Sequence, residues 1–178
     1  MADLPPEQAN HVAPGGPGLA GARWFSAIVD DSDLDEAWEL TAEPLRLALV
    51  QAWLIATGQA DTDDRDARAA ALADGPPHPD WQAFSAWRLS RWRQGRFRRF
   101  VEEGWGLLTL PELVGPDLEF VRVAPGSEGG KLKPGDAVVV QTLTLRFVED
   151  EWLVAGIGRT LPSPGWPPVE ETLHSASA

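Results

Sequence analysis

Cysteine and tyrosine are both absent from this chain of 178 residues, and histidine occurs only three times. The first absence excludes disulfides, thiolate metal centres, iron–sulfur clusters and a cysteine nucleophile. The second removes any phenolic acid or oxyanion donor. Basic residues are scarce too: 15 against 27 acidic ones, for a formal net charge of -12. That balance disfavours nucleic acid and anionic membrane, which both reward Lys and Arg. Long hydrophobic runs are also lacking. The longest, Leu45 to Ala56, is broken by Arg46 and Gln51 and falls well short of the ~20 residues that span a bilayer. The N-terminus has neither a basic start nor an apolar run, so no signal peptide is expected and a soluble cytoplasmic protein is the default. With no cysteine and no clustered histidine, only an all-oxygen metal site stays open, and no motif points to one; no cofactor is expected.

What the chain does have is tryptophan, nine of them. Its length fits one domain with short tails. Residues 1–20 are rich in Pro and Gly and predict a disordered tail; residues 169–178 predict a mobile one. The domain expected between them covers residues 21–168. Trp166, set among Pro164, Gly165, Pro167 and Pro168, is expected to pin a C-terminal strap against it.

Apolar spacing predicts helices over Ala22–Val29, from an N-cap at Ser32 to Leu40, over Pro44–Thr57, over Asp61–Asp74, and from Asp80 to Arg96. After Gly104 the texture changes. Trp105–Leu110, Leu118–Val123, Ala137–Val148 and Trp152–Thr160 read as strands, the last two joined through Glu149-Asp150-Glu151 as an antiparallel hairpin. Helices followed by sequential antiparallel strands make an α+β chain.

Several segments carry a likeness: Asp33-Leu34-Asp35-Glu36-Ala37-Trp38, Pro44-Leu45-Arg46-Leu47, Gln51-Ala52-Trp53, Gly115-Pro116-Asp117-Leu118-Glu119, Trp152-Leu153-Val154-Ala155-Gly156 and Pro164-Gly165-Trp166-Pro167-Pro168. Over about residues 21–168 the chain resembles the nuclear transport factor 2-like superfamily, in particular its SnoaL-like branch and small actinobacterial relatives. The resemblance implies N-terminal helices packed on a strongly curved antiparallel sheet, forming a cone with an internal pocket, and a homodimer. The superfamily includes isomerases, cyclases, epoxide hydrolases and non-catalytic binding subunits, so fold alone does not choose a function. No tyrosine-plus-acids set is present, and His11, His78 and His174 lie in tails or a Pro-rich loop. No catalytic residue is therefore carried over.

Three motif matches fail on context. Gly16-Pro17-Gly18-Leu19-Ala20-Gly21 has the dinucleotide glycine spacing but no strand before it. Gly130-Lys131 lacks the rest of a phosphate loop. Asp61–Asp66 approaches a calcium loop, but Arg65 stands at a ligand position and Asp66 replaces the glycine of the turn.

Two groups of residues remain as candidates. Polar side chains on apolar elements mark a ligand pocket: Arg46 and Gln51, with Trp53, on the third helix, and Arg122, Gln141 and Arg146 on the strands. Glu119 is the best internal acid, a weak catalytic candidate. The second group is an arginine–tryptophan segment in which Arg88, Arg91, Trp92 and Arg96 form a candidate partner-binding face; the plainer reading pairs these arginines with the protein's own carboxylates. The favoured function is a non-catalytic, pocket-bearing binding or assembly protein for an apolar small molecule or a protein partner. The alternative is a cofactor-independent SnoaL-like enzyme, performing proton transfer, cyclisation or epoxide opening with a pocket carboxylate and arginine.

Overall fold

The computed structural model describes residues 13–126 and 139–169. Expectations for residues 1–12, for Gly130-Lys131, for Ala137 at the start of the long strand, and for residues 170–178 lie outside them.

Helix α1 (Pro17–Ser26) starts inside the stretch expected to be tail. Extended Gly16 precedes it and Pro17 sits in its first turn, where the fixed proline φ suits a helix and the missing N–H costs nothing. The glycines there serve contact. A Cβ on Gly21 would stand 2.9 Å from Val121 Cγ1 and 3.4 Å from Leu145 Cδ1, so α1 lies directly on the sheet at this point. The helix continues as a π-helical turn (Ala27–Asp31) that ends at Ser32 in a left-handed conformation, φ 57°. Ser32 is thereby unavailable as the next N-cap. Asp33 takes that place and accepts from the Glu36 backbone N–H at 3.1 Å, opening α2 (Leu34–Glu39).

Helix α3 (Glu43–Ala56) carries Pro44 in its first turn and buries Leu45, Leu49, Val50 and Leu54. Helix α4 (Arg65–Ala73) lies inside the expected helix but starts four residues later, after the acids Asp61, Asp63 and Asp64, and no group of metal-ligating side chains occurs among the described residues. Helix α5 (Trp81–Arg91) passes into a second π-helical turn (Trp92–Arg96), then α6 (Arg98–Glu103).

Strands β1 (Trp105–Gly115), β2 (Leu118–Pro125), β3 (Gln141–Val148) and β4 (Glu151–Ile157) form an open antiparallel sheet in the order β1-β2-β3-β4. Among the described residues the chain is thus α+β, helices first. The β3–β4 hairpin turns through Glu149 (φ 49°) and Asp150 (φ 70°), the two positive angles of a tight turn that matches the twist of its strands. Gly158 (φ 135°) ends β4 short of Thr160. The chain then folds back over the sheet: Thr144 Oγ1 donates to the Gly158 carbonyl at 2.7 Å, and a Cβ on Gly156 would meet the Thr160 carbonyl oxygen at 2.6 Å.

Cross-strand register sorts the two faces. Val121 pairs with Leu143, Val123 with Gln141 and Glu119 with Leu145; these side chains are buried, on the face that Gly21 touches. Phe120, Arg122, Thr142, Thr144 and Arg146 alternate onto the far face. The free edge of β4 is met by the α2–α3 connection, where Ala42 N donates to Val154 O at 2.9 Å and Val154 N to Leu40 O at 2.8 Å. Most tryptophans belong to the core between helices and sheet. Trp24 lies edge-on to Trp92, and Trp38 to Trp81 and Phe84. Their indole N–H groups have acceptors: Trp24 in Thr41 Oγ1, Trp38 in the Ala73 carbonyl, Trp81 in Asp35.

Candidate functional site

On α3 the three candidates do different things. Trp53 is buried edge-on against Phe84 and belongs to the core. Gln51, also buried, accepts from the Gly165 backbone N–H at 2.8 Å. Its polarity serves the C-terminal strap, which is fixed again where Trp166 Nε1 donates to Asp66 and Arg65 lies 4.9 Å over the Trp166 ring. Arg46 is half-buried. It donates from Nε to the Thr41 carbonyl at 2.7 Å and weakly from Nη2 to Glu39 O at 3.4 Å. Burial holds the Arg46 pKa below the usual arginine range, partly offset by Asp74, Glu43 and Glu39; the group stays charged.

The sheet candidates divide between faces. Gln141 and Glu119 are buried on the helix side, and Arg122 and Arg146 stand on the far side. Gln141 Oε1 accepts from Arg96 Nε at 2.7 Å. Arg122 is ion-paired with Glu112, and Arg159 reaches the same carboxylate at 2.7 Å while lying 4.5 Å over Phe120. Sequence reading passed over Glu112, although its place across β1 from Phe120 makes it the natural acid for two arginines. Arg146 has a looser partner: its Nε is 3.9 Å from Asp117, beyond hydrogen-bonding distance. That Nε is buried and has no hydrogen-bond acceptor among the described residues.

The arginine-rich segment is divided: Arg88 is buried and Arg93 half-buried, while Arg91, Arg96, Arg98 and Arg99 are exposed residues. Arg88, 3% exposed, donates to the Leu49 carbonyl at 2.7 Å and lies between the rings of Trp87 (4.7 Å) and Trp92 (5.3 Å). Arg93, not among the sequence candidates, donates to the Ile28 and Val29 carbonyls. These belong to the π-helical turn that ends α1, where a cation suits the negative end of a helix. Arg96 joins Gln141 and, at 3.4 Å, the Ile157 carbonyl; burial of its inner end lowers its pKa. Arg98 and Arg99 pair with Glu102 and Glu103 one turn on. Arg91 stays at the surface over Trp87, at 5.1 Å. Trp92 is buried, and its indole N–H has no acceptor among the described residues.

Two of the pocket candidates do meet. Arg46 and Arg146 line a groove of about 490 Å³ between the N-terminal end of α3 and the β3–β4 hairpin. Its apolar walls come from Ala42, Pro44, Val148, Leu153, Leu161 and Pro162, and Glu43 and Glu149 also line it. Leu161 and Pro162 belong to the segment that precedes the strap, and their part in the site had no sequence signal beyond a proline-rich composition. Gln51, Trp53, Arg122 and Gln141 do not line this groove.

The chain matches no protein-family model, and comparison with curated proteins and with solved structures returns no match.

Proposed function

We propose that this chain is a non-catalytic binding protein that accommodates an apolar small molecule or a protein partner on a nuclear transport factor 2-like scaffold. The groove beside α3 carries the reading. Its volume falls within the range of small-molecule sites. Its walls are largely apolar, and its acids, Glu43 and Glu149, are both exposed residues rather than carboxylates enclosed by apolar groups. The order of helices and antiparallel strands agrees with the resemblance. The cone, its internal pocket and the homodimer rest on the resemblance alone. Tryptophan fluorescence and thermal melting against a library of apolar compounds test the reading: stabilisation by some members supports it, and indifference to all of them overturns it.

The catalytic alternative draws on one observation, that Glu119 is 5% exposed on the helix-covered face of β2. A Glu119→Gln variant distinguishes the two. Ligand binding survives it under the first reading, and any turnover is abolished under the second.

A further inference from the structure

The same groove carries a finer assignment, which rests on the binding reading above. We infer that it takes an amphiphile whose head is a carboxylate, held between Arg46 and Arg146.

Hydrogen-bond supply is the first argument. A guanidinium has five N–H donors and no acceptor of its own. Arg146 makes no hydrogen bond among the described residues, its buried Nε included, and its ion pair with Asp117 spans 3.9 Å. Arg46 uses Nε fully and Nη2 weakly, and Nη1 has no acceptor among the described residues. Two cations with unmet donors therefore line one cavity, from opposite elements, α3 and β3. A partly desolvated cation with idle donors is costly unless something pairs with it. The planar fork of arginine matches a carboxylate better than any other common anion except phosphate.

Glu43 and Glu149 decide between those two. They line the same groove, and neither is ion-paired with Arg46 or Arg146 among the described residues. With Asp74 and Glu39 also acting on Arg46 and Asp117 beside Arg146, the surroundings already hold much negative charge, and a dianionic phosphate would add strong repulsion. A single negative charge placed between the guanidiniums adds little. Apart from Thr41, the remaining lining is apolar, with Pro44, Val148, Leu153, Leu161 and Pro162 its larger members, which suits a hydrocarbon body. The ligand class is thus an apolar monocarboxylate.

Octanoate and octanol share a chain and differ in the head, so isothermal titration with each is the test. The wild-type protein should bind octanoate at least about tenfold more tightly than octanol, the gain expected of a charge-assisted, bidentate contact. Arg146→Gln should remove that preference and leave octanol binding unchanged, while Arg91→Gln, on the far helix, should alter neither. Equal affinity for the two probes in the wild type would overturn the carboxylate assignment and leave the apolar groove standing. A preference that survives Arg146→Gln would overturn it as well, by placing the head elsewhere. Binding of neither probe would overturn the groove as a ligand site.

Discussion

Two sets of arginines in this molecule have opposite fates. Arg88, Arg93 and Arg96 come from a segment dense in arginine and aromatic residues, and they are spent on the fold: on the carbonyl of Leu49, on those of Ile28 and Val29, and on Gln141. Arg46 and Arg146 are a hundred positions apart, and they meet at a groove with donors to spare. Clustering in sequence reflects the helical period that brings neighbours to one surface. Availability depends on what the rest of the fold offers each guanidinium. In the helix set, backbone carbonyls at the end of α1 and within α3 accept the charge. In the groove set, the acids act at longer range: Asp74, Glu43 and Glu39 on Arg46 without an ion pair among the described residues, and Asp117 on Arg146 at 3.9 Å.

That contrast can be broken at several points. Arg88→Ala should do the most damage, about 3 kcal/mol, because it opens a cavity between two indoles and deletes a charge-assisted bond in the core; urea denaturation measures it, and a loss under ~1 kcal/mol would move Arg88 into the available set. Trp166→Ala should cost about 1–2 kcal/mol through lost packing and the lost Asp66 and Arg65 contacts. Because the adjoining Leu161 and Pro162 wall the groove, the same variant should weaken octanoate severalfold, whereas unchanged octanoate affinity would separate strap from groove. Gln141→Leu should cost about 1 kcal/mol by taking the acceptor from Arg96 while keeping the packing, again read from denaturant midpoints. Arg91→Gln should cost about 0.5 kcal/mol, the low end for an exposed cation–π contact, and its melting temperature should fall by no more than a few degrees.

Local rules made a good part of the fold legible. The α+β order, the helix at α3 and the β3–β4 hairpin follow from apolar spacing and from the polar Glu149-Asp150-Glu151 turn. The start of α1 was not legible, because a run rich in Gly and Pro looks like a linker until Val121 is seen against Gly21. The shift of the α2 cap from Ser32 to Asp33 has a similar origin: a π-helical turn consumes one more residue than an α-helical period allows. For the site, sequence marked Arg46 and Arg146 as polar residues on apolar elements. The same rule also marked Gln51, which anchors the strap, and Gln141, which receives Arg96. A polar residue in an apolar stretch signals a need for a partner, and only the tertiary arrangement says whether that partner is the protein's own backbone.

The most direct test of the central contrast is the melting temperature with and without octanoate, compared across three proteins. A ligand that binds only the folded state stabilises it by RT ln(1 + L/Kd), with L the free ligand concentration, so at one concentration the rise in melting temperature ranks the affinities. At one fixed octanoate concentration the wild type and Arg91→Gln should rise together, and Arg146→Gln should rise no more than it does with octanol. A response lost in Arg91→Gln and kept in Arg146→Gln would contradict the account and return the binding role to the arginine–tryptophan helix.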